Sequence, residues 1–154
     1  MRPIALAPVQ RRFGLAFVMA LVLACLGGPA AAQEKSFVVV VSVANPLSSI
    51  SRTQLSRIFL KRSTTWDGQP IVPLDLNAAS PSRDAFSRAV HQKPTDAVRA
   101  FWQQQIFSGR DTPPVEKPSD AAVLEAIRSN PNAIGYVSPS AALGRGVKAV
   151  RILP

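Results

Sequence analysis

The chain has 154 residues, 47% of them hydrophobic, and a formal net charge of +9 from 18 basic and 9 acidic side chains. One cysteine and one histidine are too few for a disulfide framework, a His/Cys metal site or a comfortable Ser-His-Asp triad. Past the first 32 residues the basic side chains are scattered, with only Lys61-Arg62 adjacent, so no nucleic-acid-binding stripe is expected.

The first 32 residues read as a signal peptide. Arg2, Arg11 and Arg12 form a basic n-region, Phe13 to Leu26 an apolar h-region, and Ala30-Ala31-Ala32 a small-residue cleavage site before Gln33. The apolar run is too short for a comfortable membrane span, and a periplasmic or secreted destination is expected. Val22-Leu23-Ala24-Cys25 loosely resembles a lipoprotein cleavage site, but the downstream alanines are better spaced, so lipidation at Cys25 is the lesser reading. The remaining 122 residues (154 less 32) suit one domain. Without the three leader arginines, 15 basic residues face 9 acidic ones, a net +6 that fits attraction of anions or solubility alone.

The run Ser36 to Ala44 is β-branched at successive positions, which predicts a strand buried on both faces and stopped by Asn45-Pro46. Ser49 to Leu60 predicts an amphipathic helix with Ser51 as N-cap, Gln54 at capping-box spacing, and Leu55, Ile58 and Phe59 in the core. Lys61 to Pro70 is a loop with an Asp67-Gly68 turn, and Trp66 is expected to anchor it. A strand over Ile71–Leu74 follows. Asp75 to Phe86 then forms a polar loop and helix start, with Pro81 near the first helical position. Ser80 or Ser82 can simply cap this helix. Alternatively, its free N–H groups, its dipole and the fork of Arg83 can hold an anion.

That helix should run to about His91, whose expected role is to interact with the helix C-terminus. A second helix begins at Pro94-Thr95-Asp96, with Val98, Phe101, Trp102, Ile106 and Phe107 read as core. Arg110 to Pro118 reads as a loop, and Ser119-Asp120 caps a third helix through Val123, Leu124 and Ile127. Ala133 to Val137 is a short buried strand with a close-approach Gly135, and Val147 to Leu153 a final strand. The order β-α-β-α-α-α-β-(α)-β implies an α/β fold, a three-layer-like sandwich with a mixed sheet.

Three segments, in order, resemble one family: VVSVANP at Val40–Pro46 with SRTQLSRIFL at Ser51–Leu60 and Trp66, SPSRDAF at Ser80–Phe86, and NPNAIGYV at Asn130–Val137. Together they are similar to the second lobe of the phosphate-binding proteins of ABC importers, the periplasmic type 2 substrate-binding fold, over most of residues 37–153. In that family a Ser-Gly-Thr loop, often followed by Arg and then Phe, gives hydroxyl and backbone N–H donors to phosphate. The resemblance puts Ser80 at the Ser position, Ser82 at the Thr position, Arg83 at the Arg position and Phe86 at the Phe position. Pro81 replaces the Gly, removing an N–H, and Asp75-Leu76-Asn77 stands where the family carries a further Arg.

The resemblance implies a periplasmic, transporter-related single-lobe binding module holding phosphate or a similar oxyanion weakly at Ser80, Ser82 and Arg83. The alternative is an envelope interaction module that keeps the fold and has lost the ligand, with a protein partner or a second copy on the face where another lobe would sit. No enzyme activity, metal or cofactor is expected.

Overall fold

In the computed structural model, residues 36–154 are described; the expected signal peptide and Cys25 lie outside them. The chain runs β1 (Val38–Ser42), β2 (Ser49–Ser51), α1 (Arg52–Phe59), β3 (Thr65–Trp66), β4 (Gln69–Pro70), β5 (Val72–Leu76) and α2 (Pro81–Phe86). A π-helical turn at Ser87–His91 leads to α3 (Thr95–Phe107), β6 (Val115–Lys117), α4 (Asp120–Ser129), β7 (Ala133–Val137), β8 (Val147–Ala149) and β9 (Arg151–Leu153).

Five strands form the main sheet in the order β6-β5-β7-β1-β8. β5 runs parallel to both β6 and β7, whereas β1 is antiparallel to β7 and β8, so the sheet is mixed as expected. β1 lies inside the sheet, which is why its valines are apolar at successive positions: Val39, Val40 and Val41 are all fully buried. α1 turns Leu55, Ile58 and Phe59 inward, and its entry is fixed by the Ser51–Gln54 capping box. α4 packs Val123 and Ile127 against β7 at Gly135, where a Cβ would lie 2.7 Å from Val123 Cγ1; a glycine is what lets helix and strand come this close. Asp67 (φ 47°) and Gly68 (φ 76°) form the tight turn of the β3–β4 hairpin, the pairing expected of Asp-Gly. Trp66 packs against the core from this hairpin.

The fold departs from the expectations in several places. Residues 49–51 are a strand pairing in parallel with β9, and the expected final strand is two: Val150 donates its N–H to Val39 O between β8 and β9, which join different sheets. β6 lies within the stretch read as a loop. Its Val115-Glu116-Lys117 has no apolar run, and its order comes from the ladder to β5. In α3 only Val98 and Trp102 are buried, while Ile106 and Phe107 are 50% and 90% exposed. His91 does not act as a cation at a helix end: burial first, and then nearby Arg83, depress its pKa to about 4, leaving a neutral ring 2.9 Å from Ser56 Oγ.

Candidate functional site

β5 and its two parallel neighbours release the chain on one side of the sheet. Asn77, just past β5, ties the next loop down: its N–H donates to Lys117 O at 3.0 Å and its Nδ2 to Pro118 O at 2.8 Å. Past β7, Ser138 donates its hydroxyl and its N–H to the carboxylate of Asp120, the first residue of α4. The Ser80–Arg83 turn therefore lies outside the carboxyl end of β5, with loops from β6 and β7 on either side. Open α/β sheets take ligands in this crevice.

The three expected site residues share one helical turn but not one environment. Ser80 is the N-cap of α2, half-buried, and its side chain makes no capping hydrogen bond. Pro81 occupies the first helical position. Ser82 is buried. Arg83 is only 6% exposed; its Nη1 donates to Leu76 O and to Glu116 Oε1 at 3.1 Å and lies 3.0 Å from Asp75 Oδ2 in an ion pair. Its guanidinium therefore ties α2 to β5 and β6, and it is balanced by two carboxylates.

Asp75 was legible as the wrong charge for an anion loop, but not as the centre of a buried network. It accepts the Tyr136 hydroxyl and the Leu76 N–H on Oδ1 and pairs with Arg83 through Oδ2. Burial nevertheless dominates and raises its pKa to about 6, against the lowering by Arg83 and Tyr136. The same burial and the carboxylate push the Tyr136 phenol well above its ordinary value, so it remains a donor. Tyr136 stacks on Phe86 at 4.0 Å between ring centroids, and Phe59 and Phe37 close the aromatic layer around them. A carboxylate at an inward strand position, with a Tyr and an Arg elsewhere in the chain, was the available signal; the pairing is tertiary.

Among the described residues no group of three His, Cys, Asp or Glu side chains is placed to hold a metal ion, and no helix is long and apolar enough to cross a membrane.

Comparisons with solved structures return the same architecture. A protein assigned to phosphate ABC transport from Clostridium perfringens, solved with bound phosphate, superposes with a TM-score of 0.59 at 22% identity, over 76% of this chain and 44% of that one. An ABC-type phosphate transport receptor from Vibrio cholerae gives 0.59 and 22%, over 76% and 46%, and PstS from Borrelia burgdorferi 0.53 and 15%, over 76% and 47%. The chain thus spans about half the length of these structures and matches one lobe of a type 2 binding-protein fold. A comparison with curated proteins returns no significant match. Residues 34–152 match the PBP superfamily domain, so the chain belongs to that family.

Proposed function

We propose that this chain is exported to the cell envelope and serves there as a binding lobe, not an enzyme, that engages phosphate or a related oxyanion weakly at Ser80, Ser82 and Arg83. The carrying observation is position: the Ser80–Arg83 turn opens a helix outside the carboxyl end of β5, flanked by strands parallel to β5 on both sides. The Clostridium perfringens relative holds phosphate, which supports an oxyanion of this class. Weakness follows from the charges. With Asp75 and Glu116 ionised, Arg83 sits in a cluster of net −1, and Pro81 offers no N–H.

A second reading is favoured by the same ion pairs. The Arg83 Nη1 holds α2 to β5 and β6, as it would in a module that keeps the fold and works by protein contact. Exposed Ile106 and Phe107 are the apolar surface such a module offers.

Calorimetric titration of Gln33–Pro154, which contains the whole compact unit Glu34–Pro154, with phosphate and with sulfate separates the two readings. Arg83→Ala is a poor probe because it strands Asp75 in the interior. Ser80→Asp is cleaner, since Ser80 is partly exposed and its side chain makes no cap. Saturable heat that Ser80→Asp abolishes supports anion binding at this turn. No heat from either anion, or heat unchanged in the variant, supports the second reading.

A further inference from the structure

α1 carries an opening of a different character. Leu55, Ile58 and Phe59 face the core, and the neighbouring helix face presents Arg52 with Ser56, and Thr53 with Arg57, each pair four residues apart and so side by side. Arg62, just beyond α1, and His91, on the π-helical turn, join them around a cleft of about 260 Å³. No carboxylate lines it. None of the three arginines is ion-paired with an acidic side chain among the described residues; Arg62 only overlies the Phe101 ring at 5.9 Å. The Ser56 hydroxyl and the neutral His91 ring, 2.9 Å apart, add polar groups that bring no negative charge.

Fold stability accounts for only part of this arrangement: Arg57, in the last turn of α1, suits the helix dipole, but Arg52 does not. Arg52 is the first residue of α1, at the positive end of the helix dipole, and no acidic residue stands in that first turn to offset it. Arg57 and Arg62 add like charge around the same opening. The wall opposite is a π-helical turn followed by Gln92 in the left-handed region (φ 56°, ψ 34°), and it sets His91 at the cleft. Both features cost conformational energy and recur at functional sites. An anion in the cleft would relieve the repulsion and the unfavourable helix end together. The volume falls below the range of drug-sized pockets and suits a small, highly charged group.

We propose that this cleft binds a phosphate group, as a free diphosphate-type anion or as the headgroup of an anionic lipid, through Arg52, Arg57 and Arg62 with Ser56. This second site is independent of the Ser80 turn, so either can fail without the other.

The test uses Gln33–Pro154 with inorganic pyrophosphate by calorimetry at low salt, and with phosphatidylglycerol-containing against pure phosphatidylcholine vesicles by co-sedimentation. Arg57→Gln/Arg62→Gln removes two exposed side chains and should leave the fold intact. Arg110→Gln/Arg145→Gln removes the same charge from exposed positions outside the cleft, and Ser80→Asp challenges the other site. The expected result is binding at least about tenfold weaker in Arg57→Gln/Arg62→Gln, and near wild type in the other two variants. Loss in the calorimetric arm identifies a soluble phosphate compound, and loss in the vesicle arm alone a lipid headgroup. No saturable binding in either arm, equal losses in the two charge-removing variants, or loss confined to Ser80→Asp would each overturn the proposal.

Discussion

Two groups of charged side chains flank the first two helices, and they obey opposite rules. Around Arg83, one guanidinium meets the buried Asp75 carboxylate, a backbone carbonyl and the exposed Glu116 carboxylate, so every charge has a partner. Around α1, three guanidinium groups share a solvent-open cleft with no carboxylate on its walls. Arg83 is tied to β5 and β6 by carboxylates, whereas Arg52 and Arg57, in the Ser51–Leu60 segment, and Arg62 just beyond it have no acidic partner among the described residues. A motif match identifies where a chain passes; the local charge balance decides what it can still hold.

The largest expected effect breaks the first group. Arg83→Ala leaves Asp75 buried without its cation, and should destabilise the fold by about 3–5 kcal/mol in urea unfolding. A loss below about 1 kcal/mol would show that the tie is dispensable and that Arg83 is free for ligand after all.

A pH comparison of the buried Asp75 and the half-buried His91 sharpens the contrast. The folded-state pKa of Asp75 is raised from 3.8 to about 6, so the fold is relieved of a buried charge as pH falls through 6 toward 4. That of His91 is lowered from 6.5 to about 4, so its contribution is present above 6.5 and is lost as pH falls toward 4. The two slopes oppose each other and nearly cancel between pH 6 and 4. Relative to wild type, His91→Asn should therefore gain about 3 kcal/mol of stability on going from pH 7 to 4, and Asp75→Asn should lose a similar amount. Urea midpoints at pH 7, 5 and 4 check both signs, and parallel profiles for the three proteins would refute the assignment.

The smallest effect belongs to the second group. Arg57→Gln/Arg62→Gln should change stability by no more than about 0.5 kcal/mol, because relief of unpaired like charge is offset by loss of the Arg57 cation in the last turn of α1. Thermal unfolding at low and moderate salt reads this directly; a clear loss would mean the arginines hold the fold.

What was legible beforehand was what local chemistry decides. Ser51 and Gln54 lie three residues apart and cap α1; Gly135 lies where a helix crosses; Asp67-Gly68 makes a hairpin turn. The ordered motifs were enough for the fold and the family. The failures were all set by partners distant in sequence. Ile106 and Phe107 keep helical spacing but lie on the exposed end of α3, and β6 is a strand only because β5 runs beside it. Ser80, Ser82 and Arg83 were found on one turn, yet where the Arg83 side chain goes is decided by Asp75 on β5 and Glu116 on β6. The α1 cleft was not read from the Ser51–Leu60 segment that supplies Arg52, Ser56 and Arg57, since Arg62 and His91 join them only when the π-helical turn docks.

The short parallel ladder of β2 with β9 has a consequence for folding order. Ile50 faces Ile152 across it, some hundred residues away in the chain, while α1 begins at the very next turn. Closing so long a loop is entropically slow and late compared with forming a helix or a hairpin. The entrance to α1, and with it the arginine cleft, is therefore among the last parts of the molecule to be locked in place, although residues 49–51 are among the first to be made.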